Sequence, residues 1–316
     1  MRNTEHSDQP LQVAVGVIKN PDGKVLISLR DPALHQGGLW EFPGGKIEAP
    51  ETAEQALARE LKEELNIEVT VATPLITIQH QYPDLTVQLN VFLVEHFSGE
   101  AKSCEGQPFK WVKPDELANH AFPAANQPII TAARLPDRYA ILDDADESQL
   151  LENLQKILDR GVKLVQARLK TLPAAAVEKF VEQAYPLCKQ YDALLLMNSA
   201  VENVGGLDAD GIHLTSRHLM TVKKRPENMK WVAASCHDLQ ELQHAQNIGV
   251  DFVALAPVLA TATHPGAETL GWERFSEWVA TVSLPVYALG GMTESCLITA
   301  RQGGAQGIAS IRAFLD

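Results

Sequence analysis

No stretch of this chain is long and apolar enough to cross a bilayer. Its first ten residues, MRNTEHSDQP, also lack the apolar core of a secretory signal. No membrane partner is expected, and the expected location is cytoplasmic. Cysteine is scarce: Cys104, Cys188, Cys236 and Cys296 lie far apart and form no C-x-x-C pair. That argues against a zinc site and a disulfide framework, and fits reduced thiols. Positive charge is short as well, with 27 Lys and Arg against 40 Asp and Glu, a net charge of −13. A nucleic-acid polymer is therefore not an expected partner, because phosphate backbones require a basic surface. A small anionic nucleotide stays compatible if a metal ion supplies local positive charge. What the chain does have is bulk: 316 residues, 45% hydrophobic, suggest two domains with packed cores.

The run from Gly45 to Ile67 is the most informative segment. A glycine turn leads into a helical pattern in which Glu60, Glu63 and Glu64 stand at i, i+3 and i+4 and share one face. Like charges at that spacing repel, so helix stability alone does not explain them. A hard divalent cation would: Mg²⁺ or Mn²⁺ takes oxygen ligands, and clustered carboxylates supply them. Leu57, Leu61 and Leu65 form the apolar stripe behind.

The pattern resembles the Nudix box: Gly, five residues, Glu, seven residues, Arg-Glu, an aliphatic, any residue, Glu-Glu, any residue, Gly, an aliphatic. Gly45, Glu51, Arg59, Glu60, Leu61, Glu63, Glu64 and Ile67 fill their places without insertion. Asn66 replaces the final Gly, and Asn is the next-best residue for a left-handed helix C-cap. Three further segments resemble the MutT branch of that family: LWEFPGGK at 39–46, Glu105-Gly106-Gln107-Pro108 and Phe122-Pro123-Ala124-Ala125-Asn126. The resemblance implies an α+β Nudix fold over residues 1–132. It also implies Mg²⁺-dependent hydrolysis of 8-oxo-dGTP to the monophosphate and pyrophosphate, which cleanses the nucleotide pool and so serves DNA repair and replication. Carried over, Glu60, Glu63, Glu64, Glu105 and the Gly44 carbonyl would hold metal. Glu51 and Arg59 would support them. Asn126 would read the purine edge, and Arg30 and Phe42 would line the base pocket. The family's arginine near the Pro-Asp turn is Leu85 here. Taken alone, Asn126 reads equally as a turn cap before Gln127-Pro128, Phe42 as a core residue and Glu105 as solvated surface.

Apolar β-rich runs flank the box at 13–18, 25–29, 75–80 and 86–95, the first two joined by a hairpin turn, Asn20-Pro21-Asp22-Gly23. A short helix is expected at 114–117. Gln127 to Asp137 reads as the seam. Beyond it the rhythm changes to short strands alternating with helices. Eight runs are expected as strands, at 139–142, 163–166, 194–197, 211–214, 231–234, 252–255, 286–288 and 307–309, with helices at 147–158, 175–190 and 238–247 among them. That alternation suggests a (β/α)₈ TIM barrel over residues 137–316, smaller than the usual ~250 residues. An open doubly wound sheet is the alternative; Gly205-Gly206 is not a G-x-G-x-x-G.

The second half resembles thiamine phosphate synthase and its paralogue, the TenI-type thiazole tautomerase. Tyr139-Ala140-Ile141-Leu142-Asp143, Val165-Gln166-Ala167-Arg168-Leu169-Lys170, Asp210-Gly211-Ile212-His213-Leu214 and Leu289-Gly290-Gly291-Met292-Thr293 carry it. The synthase's Asn-Asp is Asn198-Ser199 here, its Gly-Gln is Thr215-Ser216, and its loop lysine is His264. Without its Mg²⁺ ligand and lysine, a pyrophosphate leaving group loses several kcal/mol of stabilisation, so synthase activity is not expected. Ser235-Cys236-His237 and Met197-Asn198 follow the TenI side. What this implies is proton relocation in a phosphorylated, carboxylated thiazole, with His237 as acid-base; imidazole suits such a transfer near neutral pH. His237 alone also reads as a neighbour of the N-cap Asp238. Backbone around Gly290, Gly291 and Ser310 would hold the phosphate of a thiazole phosphate-like ligand, with Asn198 beside it. Arg168 and Lys170 would hold an anion or stand as surface charges. Two rivals remain: hydrolysis of another nucleotide or a thiamine-pathway diphosphate, and a barrel that only binds a ligand or assembles.

Overall fold

The structure is a computed structural model, and it describes residues 10–33, 36–202, 204–261 and 266–315. His264 lies outside the described residues. Contacts between Cα atoms divide the chain into two compact units, Met1–Arg134 and Leu135–Asp316.

The first unit runs β1 (Leu11–Ile18), β2 (Val25–Leu29), β3 (Trp40–Glu41), β4 (Gly44–Lys46), α1 (Ala53–Leu65), β5 (Glu68–Gln81), β6 (Thr86–Ser98), β7 (Phe109–Val112) and α2 (Gln127–Arg134). Two sheets result, in the orders β4-β1-β6-β5 and β3-β2-β7. Strand β1 shows why the unit has two cores. Its alternate residues Ala14 and Ile18 pack with Leu57, Leu61 and Leu65 of α1, while Val15 and Val17 join Ile129 and Ile130 of α2.

Two expectations need correction. The Asn20–Lys24 turn forms, but the two flanking strands share only the bridge Lys19–Val25 and then part into different sheets. Both edges of β1 are already taken, by β4 and β6. Strand β5 begins at Glu68 rather than 75, because its first part pairs with the end of β6 through register shifts that break simple alternation. The segment after Trp111 is a 3₁₀ helix, Pro114–Asn119. Asn66 is left-handed, at φ 56° and ψ 28°, and closes α1 as a C-cap.

The second unit is a closed eight-stranded parallel barrel. Its strands are β8 (Arg138–Asp143), β9 (Leu164–Arg168), β10 (Leu194–Asn198), β11 (Gly211–Leu214), β12 (Trp231–Cys236), β13 (Phe252–Leu255), β14 (Val286–Leu289) and β15 (Gly307–Ser310). Closure comes where β15 pairs with β8, at Ile308–Arg138 and Ala309–Tyr139. The helices are α3 (Glu147–Asp159), α4 (Ala174–Gln190), α5 (Ser216–Leu219), α6 (Leu239–Ile248), α7 (Gly271–Val279) and α8 (Leu297–Gln302). Outward strand residues such as Ala140, Leu142 and Val165 pack beneath them. Inward residues Tyr139, Leu164, Leu196, Trp231, Phe252 and Tyr287 fill the interior as a separate cluster, with aromatic rings 5.4 to 6.3 Å apart. The barrel is thus plugged, and the open doubly wound sheet is excluded.

Candidate functional sites, one acidic and one basic

In the first unit the site is built around α1. The Thr52 hydroxyl accepts from Gln55 N at 3.3 Å, and the Gln55 side chain accepts from Thr52 N at 2.8 Å, a capping box that fixes the helix start. Arg59 is the hub. Its guanidinium grips Glu51 at 2.7 and 3.1 Å and reaches Glu60 at 2.8 Å, Glu63 at 3.2 Å and the Lys46 carbonyl at 3.1 Å. The same contacts hold the Glu51 carboxyl below the usual carboxylate range. A Cβ at Gly45 would lie 2.1 Å from the Glu60 carboxylate, so glycine there leaves that side chain its place.

Glu64 faces the other way. With Arg30, Glu41 and Glu105 it lines a cavity of about 370 Å³. Burial pushes its carboxyl up to about 8, and the charges of Glu41, Glu60 and Glu105 push the same way, against a hydrogen bond from the Gly44 backbone. Burial also raises Glu41, although Arg30 pairs with it. Among the described residues no three His, Cys, Asp or Glu side chains gather as a ready-made metal cage. Glu60 and Glu63 lie instead on Arg59. The donor set still suits a hard divalent cation, since it is all oxygen and a neighbouring positive charge would relieve the protonation forced on Glu64.

Two expected base-pocket residues sit apart from that cavity. Phe42 is buried at 3% exposure, stacked on Phe122 with ring centres 5.3 Å apart. Asn126 is buried at the end of the 3₁₀ turn Ala124–Asn126, and no described group hydrogen-bonds its side-chain amide. Leu85 packs against the same core as Phe42.

In the second unit a cavity of about 770 Å³ opens among the loops that follow the strands. Arg168, Lys170, Asn198, His237, Gly290, Gly291 and Ser310 all line it, so the structure brings together the seven barrel residues expected to act on or hold a ligand. Arg217 and Arg312 join them, and no Asp or Glu stands among the described lining residues. Asp143 holds the Arg168 guanidinium at 2.6 and 2.9 Å and so aims it. His237 Nδ1 lies 2.8 Å from the Ala256 carbonyl, which can only accept. Nδ1 therefore carries a hydrogen, and Nε2 is the ring nitrogen left outside that contact. Gly290 and Gly291 are left-handed, at φ 98° and 68°, and a Cβ on Gly291 would lie 2.6 Å from the Ala260 carbonyl. The loop thus offers backbone, not side chain, to the cavity. The Ser310 hydroxyl is engaged with Met292 and Ala313, which leaves its backbone. Ser199 turns aside: its hydroxyl accepts from Thr215 N at 3.0 Å and lies 2.8 Å from His218 Nδ1.

Residues 138–314 match the family model described as thiamine monophosphate synthase, and residues 14–132 match the one described as a NUDIX domain. The chain is a Nudix domain joined to a thiamine monophosphate synthase family barrel. A protein of Aquifex aeolicus (strain VF5), provisionally named thiamine-phosphate synthase 2, is 38% identical over 184 residues, 58% of this chain and 99% of its own length. The 8-oxo-dGTP diphosphatase of Escherichia coli (strain K12) is 41% identical over 120 residues, 38% of this chain and 93% of its own. The CTP pyrophosphohydrolase of the same organism is 36% identical over 122 residues, 39% of this chain and 90% of its own.

Sequence reading passed over Glu41 in the Nudix domain, which sits in a two-residue strand inside a segment noted only for its family pattern. In the barrel it passed over the roles of Gln166, His213 and Ser235. Their signal was available: each is a polar residue interrupting an apolar β run.

Proposed function

We propose that the chain is bifunctional: the Nudix domain hydrolyses 8-oxo-dGTP to the monophosphate and pyrophosphate, and the barrel is a thiazole tautomerase rather than a synthase. The observation that carries the first half is the carboxylate set of α1, with Glu64 half-buried beside Glu41, Glu60 and Glu105. Glu60, Glu63, Glu64, Glu105 and the Gly44 carbonyl would hold Mg²⁺, or Mn²⁺ in its place. When bound, the cation neutralises substrate phosphates and lowers the pKa of an attacking water. Arg59 keeps Glu51, Glu60 and Glu63 in place, and Asn126 offers a donor and an acceptor for one purine edge. A second reading, another nucleotide such as CTP, is favoured by Leu85 standing where the family has arginine and by the CTP pyrophosphohydrolase relative.

For the barrel, support comes from His237. Its Nε2 is left outside the Ala256 contact, and the residue lines a cavity that also offers glycine-loop backbone for a phosphate and cations for a carboxylate. Loss of synthase chemistry agrees with Ser199, whose hydroxyl is spent on a loop contact.

The test is a substrate screen of the full chain against 8-oxo-dGTP, dGTP, CTP, thiamine diphosphate and a carboxylated thiazole phosphate. The reading expects 8-oxo-dGTP to be preferred, and Asn126→Ala to narrow that preference over dGTP by about 1–3 kcal/mol, the cost of an unsatisfied purine edge. CTP as the better substrate would replace the first half of the proposal, and an unchanged thiazole would replace the second.

A further inference from the structure

Residues 215–218, which leave the barrel at the end of β11, are pinned through three of their four side chains. The Thr215 backbone N–H donates to the Ser199 hydroxyl at 3.0 Å, and the Thr215 hydroxyl accepts from His218 N at 3.2 Å. His218 Nδ1 lies 2.8 Å from the same Ser199 hydroxyl. The Ser216 hydroxyl donates to the Glu241 carboxylate, whose other oxygen accepts from the His237 backbone at 2.7 Å. One carboxylate on α6 thus fixes this segment against the residue proposed as acid-base. The fourth side chain, Arg217, is exposed at the cavity mouth and lines it. Among the described residues it makes no hydrogen bond or ion pair.

The order of the sheet shows what Arg217 faces. Around the closed barrel, β15 is four strands from β11 in either direction, so the loops after these two strands stand on opposite sides of the mouth. Gly290 and Gly291 follow β14, and Ser310 and Arg312 stand at and beyond the end of β15. Backbone donors and Arg312 therefore mark one side for a phosphate. Arg217 stands across from them, and His237, at the end of β12, is one strand away. The other cations are not equivalent to it. Arg168 already shares its charge with Asp143, at 2.6 and 2.9 Å. Lys170 has no such partner among the described residues, but an ammonium is a point charge, whereas a guanidinium matches both oxygens of a carboxylate. A braced segment also loses less freedom when its arginine takes up an anion.

We propose that Arg217 is a specificity residue of the barrel: it binds a second anionic group, a carboxylate, at the end of the ligand opposite its phosphate. The cavity is then a site for a two-ended anion, and a phosphate ester without the second group is the poorer ligand. The heteroaromatic identity of the ligand rests on the barrel reading above. The place of the second charge rests on the strand order and on the braced segment.

Calorimetry on the full chain compares a carboxylated thiazole phosphate, the same molecule without its carboxylate, and inorganic phosphate. The wild type should bind the carboxylated compound about tenfold more tightly than its counterpart. Arg217→Gln should remove that preference and leave the other two probes within about twofold. Arg217→Lys should restore part of it, which a loss of folding would not allow. Arg312→Gln, on the phosphate side, should instead weaken all three probes. A preference that survives Arg217→Gln, or an equal loss on all three probes in that variant, overturns the assignment. Equal binding of both thiazoles by the wild type overturns it too, as does an Arg312→Gln variant that loses the preference alone. Failure of the barrel reading looks different: inorganic phosphate binds, neither thiazole does, and the assignment of Arg217 falls with it.

Discussion

On the functions proposed above, the two units meet the same electrostatic problem, a phosphate-bearing guest in a chain of net charge −13, with linings of opposite sign. The Nudix cavity sets Arg30 against Asp31, Glu41, Glu64 and Glu105. The barrel cavity shows Arg168, Lys170, Arg217 and Arg312 with no carboxylate among its described lining residues. An acidic pocket repels an anion until a cation enters, and burying Glu64 there already pushes its carboxyl up to about 8. A basic pocket needs no such loan. For those functions, the acidic lining calls for a cation and the basic one does not.

The sharpest way to break the acidic side is Glu64→Gln. Hydrolysis should fall by at least about 10³-fold, because the variant loses a charged oxygen from a site that relies on electrostatic stabilisation. Stability should hold or rise, since the substitution removes a half-buried acid from like-charged neighbours. Steady-state kinetics at limiting Mg²⁺ together with thermal unfolding checks both; full activity would remove Glu64 from the site.

On the basic side, His237→Asn should lower thiazole turnover by roughly 10²–10⁴-fold, the usual contribution of a positioned acid-base group. Binding should change little, because phosphate and carboxylate contacts supply it. Wild-type binding without turnover would recast the barrel as a sensor.

A smaller effect separates the two units by pH. His213 has an unfolded pKa of about 6.5 and a folded one of about 3, so between those values the unfolded chain binds more protons. This histidine's contribution to barrel stability is therefore present above about pH 6.5 and lost as pH falls toward 3. In urea titrations across that range, His213→Gln should give a shallower pH slope for the barrel transition and leave the Nudix transition alone. Parallel slopes would show that the imidazole is not held neutral.

Much of this was legible in the sequence, for reasons that differ by region. The barrel strands were readable because each is a short apolar run and most are followed by a helix; six of the eight, from Leu194–Asn198 to Gly307–Ser310, begin where expected, and the other two start within one residue. The helix α1 was readable because capping, apolar stripe and C-cap all agree from Thr52 to Asn66. Sheet membership was not. Nothing local in Leu11–Ile18 or Val25–Leu29 says that they join different sheets, because that is decided by β4 and β6 claiming the edges of β1. The roles of Glu41 and His213 were hidden in the same way, since each depends on partners from other elements. Glu41 meets Arg30 and Glu64; His213 meets Tyr139 and Ser235.

The opposed linings are tested most directly by titrating one preparation of the full chain with a chelator while following both sites. Nucleotide hydrolysis should disappear and return on adding Mg²⁺, while calorimetric binding of a carboxylated thiazole phosphate stays within about twofold throughout. Hydrolysis that survives chelation, or thiazole phosphate binding that vanishes with it, would contradict the account.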